Sequence, residues 1–197
     1  MTAATAPVVG GPVPGPDGLL RCPWGATGPE DYREYHDTEW GVAVHGDDRL
    51  FERLCLEAFQ SGLSWLTILR RREGFRAAFA DFSIARVAAF DDTDRARLLA
   101  DEGIIRNRAK IDAAIANAHA AQALQGGLDA LVWSFAPSGR RKAPEALSDV
   151  PAVTDESTAL AKELKRKGFR FVGPTTAYAM MQACGLVNDH LRTCISR

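Results

Sequence analysis

Apolar residues recur at helical spacing along almost the whole chain, and no run of alternating apolar and polar residues predicts a sheet. Most of the predicted helices begin at a capping residue or a proline. Long helices are predicted over residues 47–60, 107–124 and 155–168. Shorter helices are expected after Ser64, Ser83 and Thr93 and in the segment LDALVWSF, and a last long helix is expected from Pro174 or Thr175. The predicted fold class is therefore all-α.

The first twenty residues differ from the rest of the chain in composition. They are rich in Gly, Pro and Ala, and they lack the basic start and apolar stretch of a secretory signal. We expect residues 1–20 to form a disordered tail and residues 21–197 to form a single helical domain. No apolar run is long enough to span a membrane, and four cysteines in a chain without a secretory signal are not expected to form disulfides. The sequence thus predicts a cytoplasmic protein.

The formal net charge of −1 and the pI near 6.4 do not by themselves indicate a nucleic-acid-binding protein. The basic residues are unevenly placed, however, and two clusters stand out. Such clusters are also typical of ordinary solvated helix faces, so they leave both interpretations open. The clusters are Arg70, Arg71, Arg72 and Arg76, and Lys162, Lys165, Arg166, Lys167 and Arg170.

Two cysteines and two histidines lie near the ends of the predicted domain. His190 and Cys194 are one helical turn apart, a spacing that would place both on one helix face. With Cys22 and His36 they offer two thiolates and two imidazoles, a complete tetrahedral set for one structural zinc ion. Coincidence is the alternative, because isolated His–Cys pairs at this spacing are common. The other cysteines fall in apolar segments and are expected to be buried thiols.

The segment KGFRFVGPTT joins a basic predicted helix to an apolar one through a short turn. Gly168 and Gly173 allow a tight turn and the close approach of another molecule. The free N–H groups near Thr175, at the start of the next helix, would attract a phosphate, and Lys167 and Arg170 would add positive charge. An ordinary corner between two helices is the alternative.

Aromatic residues are concentrated around one carboxylate in the first third of the chain. Trp24, Tyr35, Trp40 and Trp65 surround Glu57 in the sequence, and Glu57 falls within an apolar helical segment where an ionised group needs a partner. Aromatic faces with one carboxylate suit a flat, positively charged heterocycle. An aromatic core with a solvated charge is the alternative.

The chain resembles the DNA-3-methyladenine glycosylase I family, constitutive bacterial enzymes of the helix-hairpin-helix superfamily. The resemblance runs from about Arg21 to Cys194 and is carried by YHDTEWG, LEAFQSGLSW, REGFRAAF, GIIRNRAKI, VWSF, KGFRFVG and MQACGLVNDH. It implies a monomeric all-α enzyme with a helix-hairpin-helix fold. Such an enzyme flips 3-methyladenine out of double-stranded DNA and hydrolyses its glycosidic bond, leaving an abasic site.

The resemblance also implies roles for individual residues. Glu57 and Tyr35 would hydrogen-bond the extruded base, Trp65 would stack on it, and Trp24 and Trp40 would complete the pocket. The segment GFRFVG would be the DNA-binding hairpin, and the loop QSGLS, with Gly62 and Leu63, would lie against the gap left in the duplex. One structural zinc ion would be held by Cys22, His36, His190 and Cys194.

Two further residues bear on the pocket and the mechanism. Phe59 stands where the family pattern has a polar residue, so it would line the pocket wall or only pack behind it. Most of the superfamily uses an aspartate for cleavage, which this family lacks. We therefore expect Asp189, next to a predicted zinc ligand, to be a structural partner of the metal site.

Methylation at N3 makes the base cationic, so it leaves as a neutral molecule without a general acid. We expect Glu57 and the DNA phosphates to stabilise the charge that grows on the sugar, and the aromatic residues to select the base. A zinc-stabilised nucleic-acid-binding module without catalysis is the alternative function. Such a module would need no buried Glu57 among aromatic residues.

Overall fold

The computed structural model describes residues 9–139 and 141–197. Within these ranges the chain is mostly helical, as predicted, with two single turns of 3-10 helix at Ala80–Phe82 and Leu147–Asp149. The short strands are β1 (Val13–Pro14) and β2 (Leu20–Arg21). The helices are α1 (Pro23–Thr27), α2 (Glu30–Thr38), α3 (Asp47–Gln60), α4 (Trp65–Leu69), α5 (Arg72–Ala78), α6 (Ile84–Ala88), α7 (Asp92–Ala100), α8 (Arg108–Gln122), α9 (Gly127–Trp133), α10 (Asp155–Arg166) and α11 (Pro174–Ala183). No helix among these described residues is both long and apolar enough to cross a bilayer.

Helix α3 lies at the centre of the fold. Its apolar residues recur every three or four positions, and Leu50, Phe51, Leu54 and Leu56 are completely or almost completely buried. It packs against α4, α8, α9 and α11. Because neighbours surround α3, the acidic residue Glu57 near its end is enclosed by protein as well.

Local caps decide where several helices begin. The Ser64 hydroxyl accepts a hydrogen bond from a backbone N–H of α4 at 3.2 Å, and the Asn107 side chain does the same for α8 at 3.2 Å. Both starts are as predicted. Thr93 is not a cap, however, because the Asp91 carboxylate accepts the first N–H groups of α7, which therefore begins two residues before the predicted start.

The segment before α1 corrects the prediction of a disordered tail. Val13 pairs with Arg21 in the antiparallel ladder of β1 and β2. The buried Arg21 guanidinium binds Asp17 at 2.6 Å and Asp37 at 2.8 Å, so ion pairs hold this Gly- and Pro-rich segment against α2. The prediction is therefore wrong for residues 9–20, and residues 1–8 lie outside the described residues.

The chain beyond α11 folds in turns and contains no further helix in the described residues. His190 and Cys194 therefore do not share a helix face, and that part of the prediction is wrong. A turn from Leu191 to Cys194 brings them together instead, because the Cys194 N–H donates to the Leu191 carbonyl at 2.9 Å. The Leu191 N–H in turn faces Cys22 Sγ at 3.4 Å, which places the two ends of the chain side by side.

Helices α10 and α11 pack against each other and are joined by a tight turn over residues 167–173. Gly168 has φ = +97°, a left-handed conformation that favours glycine, and the exposed Phe171 also has a positive φ of 56°. The fully buried Asn117 of α8 holds the turn: its amide donates to the Arg170 carbonyl at 3.1 Å and accepts the Arg170 N–H at 2.7 Å. The shape of the turn is thus fixed by a side chain about fifty residues earlier.

Candidate active site and metal centre

A cavity of about 380 Å³ opens between α1, α2, α3, α11 and the C-terminal segment. Five aromatic side chains form much of its wall: Trp24, Tyr32, Tyr35, Trp40 and Trp65. Two carboxyl groups also line it, those of Glu57 and Asp189. The cavity therefore combines flat apolar surfaces with two separate acidic groups.

The aromatic rings contact one another around the cavity. Tyr32 and Tyr35 lie three residues apart on α2, so both face the same side of that helix. The centroid of the Trp24 ring lies 5.0 Å from that of Tyr32 and 5.2 Å from that of Trp40, and the Trp65 centroid lies 5.4 Å from that of Tyr35. Such a lining suits a flat heteroaromatic ligand. The interpretation of these residues as core only is therefore wrong.

Glu57, one of the two acids of the cavity, is 6% exposed. Burial raises the pKa of its carboxyl group from 4.5 to about 8, and the Arg53 guanidinium one helical turn away only partly opposes this effect. Arg53 is itself paired with Glu39 at 3.0 Å. At neutral pH the Glu57 carboxyl group is therefore mostly protonated, and a cation in the cavity would favour its ionised form.

Phe59 does not line the cavity, which corrects its assignment as a substrate-binding residue. It is 1% exposed, and its ring centroid lies 4.7 Å from that of Phe75 and 5.7 Å from that of Phe79. Because it lies two residues after Glu57 on α3, its side chain points to a different side of the helix, into an aromatic core.

Asp189 also differs from its predicted role. Its Oδ2 accepts hydrogen bonds from the Tyr178 hydroxyl at 2.5 Å and from Gln182 Nε2 at 3.0 Å. Arg141 Nη1 lies 3.5 Å from its Oδ1 and also donates to the Tyr178 hydroxyl at 2.9 Å. In the described part of the chain none of these partners belongs to the Cys/His cluster, so the expectation of a structural partner of the metal site is wrong.

Cys22, His36, His190 and Cys194 form a buried cluster whose four ligand atoms lie within 4.8 Å of one another. Cys194 Sγ lies 3.5 Å from His36 Nε2 and 3.5 Å from His190 Nδ1, and Cys22 Sγ lies 3.8 Å from His190 Nδ1. Tetrahedral zinc bonded to sulfur and nitrogen separates two such ligands by about 3.6 Å. The donor set therefore fits a four-coordinate zinc ion.

The outer nitrogen of each histidine also fits a metal ligand. His36 Nδ1 lies 2.7 Å from a carboxylate oxygen of Asp37, and His190 Nε2 lies 2.9 Å from the Trp40 carbonyl. Because both outer partners are acceptors, each outer nitrogen carries the N–H, and the lone pair of the other nitrogen faces the cluster. Gly25 permits this packing, since a Cβ atom there would lie 2.4 Å from the His36 ring.

A groove beside the cavity brings together two segments predicted to contact DNA. Ser61, from the loop after α3, lines it with Arg170 and Gly173 of the turn between α10 and α11. Lys110 Nζ holds the loop by donating to the Ser61 carbonyl at 2.6 Å. Gly62, Leu63, Lys167, Gly168 and Thr175 are all exposed around these segments.

Comparison with known proteins agrees with this geometry. The family model for methyladenine glycosylase matches residues 24–197. The chain belongs to the methyladenine glycosylase family. Its relatives include DNA-3-methyladenine glycosylase 1 of Escherichia coli (strain K12), which is 48% identical over 181 residues that cover 89% of this chain and 96% of the relative.

Solved structures of other family members have the same fold. A crystal structure of 3-methyladenine DNA glycosylase I has a TM-score of 0.84 and 46% identity, and the match covers 89% of this chain and 98% of that one. A structure of the enzyme from Staphylococcus aureus, described for its recognition of 3-methyladenine, has a TM-score of 0.81 and 37% identity, with coverage of 87% and 93%.

In this member of the methyladenine glycosylase family, the predicted residues Trp24, Tyr35, Trp40, Glu57 and Trp65 meet in one cavity, and the four predicted metal ligands meet in one cluster. Sequence reasoning missed other residues of the cavity wall. Tyr32 had a usable signal, its spacing of three from Tyr35. No sequence signal indicates that five other residues line the cavity, because only the packing of distant segments brings them there. They are Gln60, Leu147, Val150, Ala179 and Gln182.

Proposed function

We propose that this chain excises 3-methyladenine from alkylated double-stranded DNA by hydrolysing the N-glycosidic bond, which leaves an abasic site. The observation that carries the proposal is the cavity in which aromatic rings surround the buried Glu57. The name of the Escherichia coli relative and the 3-methyladenine recognition described for the Staphylococcus aureus enzyme support the same base as the substrate.

The base must leave the duplex to enter the cavity, which costs a few kcal/mol and costs least for a damaged base. Leu63, 41% exposed in the loop after α3, would fill the gap that the base leaves. The turn between α10 and α11 would act as a helix-hairpin-helix element: the N–H groups at Gly173 and Thr175 would bind a phosphate, and Lys167 and Arg170 would add charge.

The aromatic wall and Glu57 together account for selection of the alkylated base. A cationic base stacks on aromatic rings more favourably than neutral adenine does. Glu57 and Tyr35 would hydrogen-bond the base. Burial raises the pKa of the Glu57 carboxyl group to about 8, and a cationic base beside it would lower that pKa, so the group would lose its proton when the base binds. Neutral adenine lacks this electrostatic gain and is also a poorer leaving group.

We also propose that Cys22, His36, His190 and Cys194 hold one structural zinc ion. A zinc ion there would supply only a cross-link, because four protein ligands leave no position for water or substrate. The cluster joins Cys22 to His190, which are 168 positions apart in the chain. Its histidine rings contact Trp24 and Trp40, which line the cavity. The chain's own residues would thus keep the two ends of the domain together. We further propose that the enzyme acts as a monomer in the bacterial cytoplasm.

The test is a base-release assay with purified protein. DNA treated with a methylating agent and unmodified DNA are incubated with the enzyme, and the released bases are identified by chromatography and mass spectrometry. We expect release of 3-methyladenine from the alkylated DNA alone. Binding of DNA at low salt without release of any base would instead support a nucleic-acid-binding module without catalysis.

A further inference from the structure

Helix α3 carries a buried donor and a buried acid that both lack a hydrogen-bond partner. Arg53 is 9% exposed, and its Nη2 donates to Glu39 Oε2 at 3.0 Å, whereas its buried Nη1 has no acceptor among the described residues. In the same part of the chain no hydrogen bond reaches the Glu57 carboxyl group. A buried donor without an acceptor costs free energy, so a new acceptor beside Nη1 would be stabilised.

The ion pair with Glu39 fixes the position of the Arg53 guanidinium. The Glu39 carboxylate accepts two further hydrogen bonds from Arg72, at 2.6 and 2.8 Å, a bidentate contact that holds it in one orientation. Two arginines therefore share one carboxylate, and the three side chains together keep one net positive charge. A second carboxylate near Arg53 would balance that charge.

Glu57 is the residue that can supply this carboxylate. It follows Arg53 by one helical turn on α3, where Cβ atoms lie about 5–6 Å apart and two long side chains can meet. Burial raises the pKa of its carboxyl group, and the positive charge of Arg53 opposes that rise, so the two groups interact electrostatically. The ionised form of Glu57 accepts a hydrogen bond from Nη1 more strongly than the neutral form and also balances its charge.

We propose that Arg53 is a positioning residue that makes the cavity selective for a cationic base. When such a base enters, the Glu57 carboxyl group gives its proton to solvent, and Arg53 Nη1 donates a hydrogen bond to the carboxylate that forms. A neutral base draws no proton from Glu57 and gains nothing from this contact. The inference rests on the proposed function, because Arg53 acts through Glu57 on the substrate of that reaction.

The charge of Arg53 by itself would have the opposite effect. Two positive charges near one enclosed cavity repel each other, so an arginine that made no contact with Glu57 would weaken the binding of a cationic base. Its removal would then strengthen that binding. The sign of the change on removal of Arg53 therefore decides between contact and mere repulsion.

The first experiment compares two free bases as ligands of the whole protein. The 3,9-dimethyladeninium ion is cationic at neutral pH, 9-methyladenine is its neutral counterpart, and NMR titration measures both dissociation constants. Arg53→Met keeps a long unbranched side chain and removes the charge. We expect it to bind the cation about tenfold more weakly or worse, and the neutral base within about threefold of the wild-type affinity.

Arg72→Met is the matched control, because it removes the other arginine that binds Glu39. It should change neither affinity by more than about threefold. Unchanged or tighter binding of the cation by Arg53→Met would overturn the proposal. An equal loss of affinity for both bases would overturn it as well, since that is the result of a merely structural role.

The second readout is the pH at which the affinity for the cation stops rising. The affinity of the wild-type protein should increase with pH and level off where Glu57 is ionised without a ligand, near its pKa of about 8. Loss of Arg53 removes the charge that opposes the effect of burial, so the curve of Arg53→Met should level off at a higher pH. Curves that level off at the same pH would contradict the contact.

Other ionisable groups around this acid do not account for such a shift. Burial raises the pKa values of Tyr32 and Tyr35 and raises the pKa of the Cys184 thiol to about 12, so these groups stay neutral near pH 8. Burial of Glu39 is outweighed by its arginine partners, which hold its pKa below the ordinary value. Asp189, the other acid of the cavity, keeps the same partners in both proteins and contributes equally to both curves.

A crystal structure of the wild-type protein with the 3,9-dimethyladeninium ion decides the matter even where Arg53→Met does not fold. Arg53 Nη1 should lie within about 3.5 Å of a Glu57 carboxylate oxygen, and a longer distance would overturn the proposal. A protein that forms this contact but releases no 3-methyladenine from alkylated DNA would refute the proposed function. Release of the base without the contact would refute only the role of Arg53.

Discussion

Replacing Glu57 by glutamine is expected to stabilise the protein while it impairs recognition of the base. The folded protein encloses the Glu57 carboxyl group, and burial raises its pKa from 4.5 to about 8. Glutamine has nearly the same shape and carries no ionisable proton. The variant therefore removes the penalty of keeping this acid in the interior and also removes the group that responds to a cationic base.

The size of the effect follows from the two pKa values. Between about pH 4.5 and pH 8 the unfolded chain has lost the Glu57 proton and the folded chain has kept it. The free energy of unfolding of the wild-type protein therefore falls as the pH rises, by about 1.4 kcal/mol per pH unit from this group. The variant lacks this decline, so its advantage from this source is about 0.8 kcal/mol at about pH 5 and about 3 kcal/mol at about pH 7.

Urea unfolding followed by circular dichroism at these two pH values measures the effect. For a domain of this size about 3 kcal/mol corresponds to a rise in melting temperature of about 6–12 °C. Glu34→Gln, at an exposed position on α2, is the control and should leave the stability within about 0.5 kcal/mol. A Glu57→Gln advantage that does not grow between the lower and the higher pH would refute the reasoning.

Two further perturbations test the metal cluster and the turn between α10 and α11. Removal of metal with a chelator should lower the free energy of unfolding by roughly 5 kcal/mol or more, because the ion would join Cys22 to His190. Calorimetry combined with metal analysis measures this loss. An unchanged melting curve for protein shown to be free of metal would contradict the prediction. Asn117→Leu should cost about 1–3 kcal/mol of stability and weaken binding to DNA, because it leaves the backbone groups of Arg170 unpaired. Its affinity for free 3-methyladenine, measured by calorimetry, should stay the same, and a parallel loss of both affinities would show that the turn is not the part affected.

The cavity residues show how far sequence reasoning reaches. Helix α3 could be predicted because its apolar spacing is a local feature. The expectation that Asp47 or Asp48 caps it is wrong, because the N-cap is Gly46, which has no side chain to accept a hydrogen bond. The prediction that Glu57 is a buried acid followed from the same spacing. Phe59, two residues later, was placed wrongly, because which side of a fully buried helix faces a cavity depends on the helices that surround it.

The sequence by itself determined the positions of most helices, the residue types of the metal cluster and the presence of a carboxylate among aromatic residues. Only the tertiary structure decided which side chains meet. Ion pairs with Asp17 and Asp37 order the segment before Arg21, and a turn places His190 and Cys194 together without a helix. The same packing moved Asp189 from an expected partner of the metal to the wall of the cavity. Short-range propensity acts within a few residues of the chain, whereas the Leu191 N–H faces Cys22 Sγ from 169 residues away, and only the packed core brings such segments within reach of one another.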